Sequence, residues 1–295
     1  MLRHLNQAPK LPPRIVVGGV GGFVGAALLK RLARQKAFVA GLTSRDIDLL
    51  AADAAERLAA ILQPTDTFVA VAARAPCKNV AMLLDNVKIA TAMIHALTKS
   101  PVAHIVNISS DAVYADSAKP LIEESPLAPD TLHGVMHLAR EVAFRSEIRA
   151  PFVTLRASLL YGAADPHNGY GPNRFRRLAH EGKDIVLFGK GEEQRDHVFI
   201  DDVAEIITRV IKWQSVGSLN IATGTVHSFR EVADLIAANA PRKISIKESP
   251  RTGPMPHNGY RPFDISACRQ AFPDFAYTPL AAGIAKAQAE EFGTS

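Results

Sequence analysis

Three groups of residues in this chain have types and spacings suited to chemistry. Gly19, Gly22 and Gly25 fall at a G-x-x-G-x-x-G spacing directly after the apolar run Ile15-Val16-Val17. Such glycines serve a turn of unusual dihedrals, a backbone that approaches a pyrophosphate, and a close helix–strand contact. The helix that then opens at Phe23 and Val24 would present free N–H groups to phosphate. Thr43-Ser44-Arg45 ends what reads as the second strand. In a dinucleotide fold an acid at this place binds the ribose diol, whereas an arginine accommodates a 2′-phosphate, so NADP is favoured with NAD as the alternative. Asp46 and Asp48, with Leu49 beside them, either lie along the adenine side or cap the next helix. Finally, His133 and His137 stand at i and i+4 of a predicted helix and share one face. An imidazole can take or give a proton near neutrality. Two histidines at this spacing could also hold a metal, but no adjacent Glu or third ligand accompanies them and no metal site is expected.

Alternating elements must position these groups. Apolar runs at Ile15–Val17, Ala37–Leu42, Thr67–Ala73, Ala103–Ile108 and Phe152–Leu160 read as strands, and 51–62, 80–98 and 132–148 read as helices. The alternation predicts an α/β fold, a Rossmann-type doubly wound parallel sheet with right-handed crossovers and a smaller C-terminal substrate domain. Ligands then sit at the carboxyl ends of the strands, where Gly19, Ala72 and Ser110 converge. The small Ala72 and Ala73 would let a cofactor lie close. Beyond Gly162 the Gly-, Pro-, Asn- and Asp-rich stretch 163–172 marks a change of domain. The expected division is a dinucleotide-binding domain over 1–162, rejoined by 192–226, and a substrate domain over 163–191 and 227–295.

Composition narrows the partners. The 295 residues are 47% hydrophobic and 21% charged, an ordinary globular balance. The net charge of +5 is dispersed and aromatic residues are few, which argues for anionic small molecules rather than nucleic acid. Cys77 and Cys268 lie far apart without a partner motif, so neither a disulfide framework nor a zinc site is expected. Residues 1–13 lack the apolar core of a secretory signal and read as a loose tail. No run approaches a membrane span in this reading, which makes the protein cytoplasmic.

A further set of pieces occurs in order: Gly19-x-x-Gly22-Phe23-x-Gly25, the Ala72-Ala73 strand end, Asn86, Ser109-Ser110-x-x-Val113-Tyr114, Leu155-Arg156 through Tyr161-Gly162, and Arg195-Asp196-x-x-x-x-Asp201-Asp202-Val203. Asn220-Ile221-x-x-Gly224 and Asp264-Ile265-Ser266 extend it. Over nearly its whole length the chain resembles the extended short-chain dehydrogenase/reductase family of nucleotide-sugar epimerases, dehydratases and reductases. The resemblance implies that Ser110 hydrogen-bonds the reacting sugar oxygen, unless it is simply a strand-end serine bonded to backbone. It implies that Arg195 grips a nucleotide diphosphate, unless it only forms a salt bridge to Asp196 or Glu192. Ser158 and Arg261 would join Ser110 and Arg195 at the substrate, Asn86 would join the cofactor site, and a homodimer is an assembly the family allows. Asp111 takes the place of the dehydratases' general acid, yet Ala112 replaces their neighbouring Glu, which disfavours dehydration. Asp196, Asp201 and Asp202 are read as structural.

The departure lies at the family's Tyr-x-x-x-Lys, where this chain has His133-Gly134-Val135-Met136-His137. In one reading His133 moves the proton and His137 contacts the nicotinamide ribose. In another the pair has decayed and the protein binds a dinucleotide or nucleotide sugar without turnover. The expected function is NADP-dependent oxidoreduction or epimerisation of a nucleotide-linked sugar; a silent binding protein and a small-carbonyl reductase are the alternatives.

Overall fold

The computed structural model describes residues 2–293. In chain order its strands are β1 (Arg3–His4), β2 (Arg14–Gly18), β3 (Val39–Leu42), β4 (Asp66–Ala70), β5 (His104–Ser110), β6 (Phe152–Ala157), β7 (Leu159–Tyr161), β8 (Ile185–Phe188), β9 (Gln194–Phe199), β10 (Ser215–Ile221), β11 (Val226–Ser228), β12 (Ile246–Ser249) and β13 (Tyr260–Arg261). Its helices are α1 (Phe23–Arg34), α2 (Ala54–Ile61), α3 (Val80–Lys99), α4 (Leu132–Glu147), α5 (Pro172–His180), α6 (Ile200–Lys212), α7 (Phe229–Ala238), α8 (Ser266–Ala271) and α9 (Leu280–Phe292).

The main sheet has the order β1-β10-β6-β5-β4-β2-β3, parallel throughout except for β1. Strands buried on both faces need apolar residues at consecutive positions, and the Ile15-Val16-Val17 run supplies them. Ile15 and Val17 pack with Leu28 and Leu32 of α1 and with α6, while Val16 packs on the other face with α2 and α3. This is the Rossmann-type doubly wound architecture. The chain turns one way from β2 to β3 and the other way to β4, and the crevice at that reversal is where such sheets take ligands.

A buried ion pair sets α4 against the sheet. Arg156 of β6 donates to both carboxylate oxygens of Glu141, at 3.0 and 2.8 Å, and Ser109 Oγ donates to the same carboxylate at 2.6 Å. Arg156 also reaches the Tyr114 hydroxyl, which donates to Asn220 Oδ1 at 2.7 Å. Three of the family-like pieces thus meet in one network. Asp196 accepts from Thr223 and Gly224, and Asp202 accepts from Thr278, so both act as structural ties.

Three expectations are corrected. The run Phe152–Leu160, expected as one strand, is divided at Ser158: β6 stays in the main sheet and β7 pairs with β9 in a smaller sheet of β11, β9 and β13. Residues 1–13 do not form a loose tail, because β1 pairs antiparallel with β10, and His4 stacks on Trp213 and bonds Ser215 Oγ at 2.8 Å. By length and composition, α3 is apolar enough to cross a membrane. In the fold it lies between α2 and α4, with Ile89, Met93, Ile94 and Leu97 in the core and Val80, Leu84 and Val87 exposed.

Candidate active site

The glycine turn is built by close contacts that no other residue allows. Gly19 has φ +101°, and a Cβ there would lie 2.7 Å from Ala72 N. A Cβ on Gly25 would lie 2.1 Å from Gly19 O, so α1 is pressed directly onto the turn. Gly22 caps α1 without a side chain, leaving the first N–H groups of the helix free of side-chain partners. A cavity of about 980 Å³ opens over this turn and crosses the carboxyl edge of the sheet. Gly19, Gly22, Phe23, Val24, Ser44, Asp48 and Leu49 line it on one side, Ala72 and Ala73 line its floor, and Ser110, Asp111, His133, His137, Ser158 and Arg195 line the other side.

Four of the expected residues do not line the cavity. Gly25 lies behind the turn, as its packing role requires. Arg45 is exposed on the neighbouring turn, where its backbone N–H donates to Thr43 Oγ1 at 3.2 Å. Asn86 is buried in α3 and clamps the backbone of Arg74, accepting from its N–H at 2.8 Å and donating to its carbonyl at 2.9 Å. Arg261 is buried and bound to Asp111 through Nε at 2.8 Å. Asp46 and Asp48 both serve local turns: Asp46 accepts from Thr43 N at 2.8 Å and Asp48 from Leu50 N at 3.0 Å.

At the far side α4 carries the two histidines. Thr131 caps the helix by accepting from Gly134 N at 3.1 Å. Gly134 allows close approach to the turn after β5, since a Cβ there would be 2.1 Å from Ala112 O. His133 is thereby brought to the end of β5, where Ser110 sits. Ser110 Oγ accepts from Ala112 N at 3.2 Å and lies 3.3 Å from Asp111 Oδ1, so the hydroxyl is backbone-bonded and faces the cavity as well. The two imidazoles meet edge to face, with centroids 4.7 Å apart. Cys77 N–H donates to His133 Nδ1 at 3.4 Å, which leaves the ring hydrogen on Nε2. Burial pushes His133 below the ordinary histidine range against the pull of Asp111, and burial with His133 and Arg140 nearby pushes His137 well below it. Both rings are neutral near pH 7. His137 Nδ1 has no hydrogen-bond partner among the described residues.

Asp111 does not hold a proton. Burial opposes its charge, but Arg261 and Arg195 outweigh that effect and keep the carboxyl below the usual carboxylate range. Arg195 Nη2 is 3.9 Å from Asp111 Oδ2 and Nη1 is 3.3 Å from Glu193 Oε1, so its partners are Asp111 and Glu193 rather than Asp196 or Glu192. The Ser158 hydroxyl is engaged with Asp196, 3.0 Å from its carbonyl oxygen. Asp165, His167, Tyr170 and His257 also line the cavity. Their loops read in the sequence only as Gly- and Pro-rich connections, and no local pattern marks those side chains.

A doubly wound parallel sheet with a glycine turn and a crevice at its switch point is the architecture in which dinucleotides are bound. Residues 15–222 match the NAD dependent epimerase/dehydratase family, and the chain belongs to that family. An uncharacterized UDP-glucose epimerase of Bacillus subtilis is 26% identical over 63% of this chain, and the match spans 59% of that relative. Two solved structures share the fold. A UDP-glucose 4-epimerase of Thermus thermophilus in complex with NAD superposes with a TM-score of 0.80 at 22% identity, covering 95% of this chain and 98% of that one. A GDP-L-fucose synthetase of Naegleria fowleri bound to NADP gives 0.80 at 21% identity, covering 97% and 95%.

Proposed function

We propose that the chain is an NADP-preferring oxidoreductase or epimerase acting on a nucleotide-linked sugar, with His133 in place of the family tyrosine. The observation that carries this reading is the one cavity joining the uncapped α1 terminus and its glycine turn to Ser110, His133 and Arg195. A nicotinamide held there would supply the hydride acceptor or donor at the sugar carbon. The other tasks fall to side chains. Ser110 would orient the reacting oxygen, His133 would exchange the proton of that oxygen once its ring gives up the Cys77 N–H contact at Nδ1, and the Arg195 fork would bind the diphosphate. Asp111, ionised between two arginines, would hold Arg195 in place and would not donate a proton. His137 would contact the ribose as a neutral group. In the same reading, residues 163–191 and 227–295 form the substrate side.

A catalytically silent binding protein remains the second reading, favoured by the loss of both Tyr and Lys at His133 and His137. We further propose a homodimer through α3 and α4, whose exposed Val80, Leu84, Val87, Val135 and Val142 recur at helical spacing beside one another.

Titration of NADP(H) and NAD(H) into the protein tests the cofactor. NADP(H) is expected to bind more tightly, and Arg45→Ala to remove most of that preference. A charge-assisted contact is worth about 1.5–3 kcal/mol, roughly 10- to 150-fold. Equal affinities in the unaltered chain would show that Arg45, which is exposed on the turn beside the cavity, takes no part in cofactor recognition. A screen of UDP-, GDP-, dTDP- and CDP-linked sugars, repeated with Arg195→Met, then tests the substrate class.

A further inference from the structure

Arg140 lies one turn beyond His137 on α4, buried beneath the cavity floor. Its guanidinium donates to Asn107 Oδ1 at 2.7 Å, to Ala72 O at 2.7 Å and to Ala70 O at 2.5 Å. All three acceptors are neutral. The other deeply buried arginines, Arg156, Arg176 and Arg261, each meet a carboxylate. Arg140 meets none among the described residues; the nearest acid along the helix, Glu141, is turned to Arg156 and Ser109. Burial lowers Arg140 only to about 10, so the cation persists at neutral pH. An uncompensated buried charge acts over longer range than a paired one, because neither water nor a counter-ion screens it.

We propose that Arg140 is a positioning residue of this site: it holds the β4 strand end from below and supplies the fixed positive charge felt by His137 and, through it, His133. The proposal rests on the reading of the cavity as a dinucleotide site for its catalytic meaning. The histidine at 137 brings no permanent charge to the cavity wall, and the guanidinium one turn on brings it from underneath. Its effect, added to burial and to the neighbouring His133, is to disfavour protonation of His137 and leave that imidazole as a neutral hydrogen-bonding group. The other charged or titratable groups around the pair are Asp111 at the end of β5, Arg195 of β9, Asp165 and His167 from the loop before α5, Asp130 before α4, Cys77 before α3, His257, and the pair that Arg74 makes with Asp85 of α3.

Asn107→Asp separates charge from structure. The substitution keeps the oxygen that accepts from Arg140 and adds a carboxylate that neutralises it, and Asn107 Nδ2 makes no hydrogen bond that would be lost. Histidine side-chain NMR titrations of the ligand-free full chain would be compared for the unaltered protein, Asn107→Asp and Arg140→Gln. Both variants are expected to raise the proton affinity of His137 at least tenfold, a shift of one pH unit or more. An unchanged His137 midpoint in Asn107→Asp would overturn the proposal, and if that variant does not fold, Arg140→Gln decides by the same criterion. A parallel NADP(H) titration keeps the two readings apart. Failure of the unaltered chain to bind cofactor would defeat the dinucleotide reading while the histidine midpoints still report on Arg140.

Discussion

At the scale of single residues, His133 is the position on which enzyme and silent binder part. A neutral imidazole on the cavity wall shared with Ser110 becomes a proton acceptor when it gives up the long Cys77 N–H contact to Nδ1 and frees a ring nitrogen, and its working range differs from that of a tyrosine activated by lysine. Since burial holds His133 below the ordinary histidine value, the acceptor form should dominate above that range and be lost in acid. Turnover of a bound nucleotide sugar is therefore expected to rise with pH on the acid side of neutrality and then level off. His133→Phe should abolish turnover with binding retained. The contrasting double variant, His133→Tyr with His137→Lys, restores the family pair. Activity in that variant and none in the unaltered chain would identify a decayed site that serves recognition alone.

Among the elements, α4 is set by two features of opposite kind: a buried Glu141–Arg156 pair that draws it onto β5 and β6, and a glycine that lets it come so close. Gly134→Ala would place a methyl 2.1 Å from Ala112 O and 2.6 Å from Pro129 Cβ, so the first turn must move. Overpacking of this kind costs about 1–3 kcal/mol. A loss of that size in urea unfolding, together with weakened substrate turnover and little change at the adenine side, is the expected result. The parallel sheet was legible in the sequence because β2, β4 and β5 each carry a short apolar stretch between helical patterns. The break at Ser158 was not, since an apolar run looks the same whether it stays in one sheet or passes to another. The glycine turn could be read from spacing, as its chemistry is backbone chemistry. The burial of Asn86 and Arg261 could not: a motif gives a residue's type and order but not whether its side chain faces a ligand or holds the wall behind it. His257 and Asp165 come from long loops whose path depends on the smaller sheets.

Over the whole molecule, acid should be the more damaging departure from neutrality. His104 is buried with its Nε2 on Ser215 O, and neither ring nitrogen of His197 has a partner among the described residues. Burial lowers the two to about 4 and about 3. The unfolded chain binds these protons below about pH 6.5 while the folded chain refuses them, so their stability contribution is complete above that pH and is lost on the way down to 3–4. The slope is about 1.4 kcal/mol per pH unit for each histidine. His197→Phe, packed against Phe229, should flatten the decline measured by urea unfolding between pH 7 and 5; parallel curves would show that His197 is not the responsible group. The proposed assembly is checked by mass in solution: Leu84→Glu with Val142→Lys should convert a dimer to a monomer.

The two margins of the main sheet are unlike, and this limits how chains can fail. At one margin the two-residue β1 lies along Ser215 and Val216 of β10, anchored by His4 on Trp213, and farther along that edge Asn220 N–H donates to Glu123 Oε1 at 2.8 Å. At the other, β3 is open over Val39–Leu42 beside the exposed Phe38. A bare strand edge is a template for another chain, and endless ribbons need two such templates per molecule. Here one is blunted, so misassembly through β3 would end at paired chains. A change that pulled both β1 and Glu123 away from β10 would restore the second template and turn a self-limiting error into a fibre.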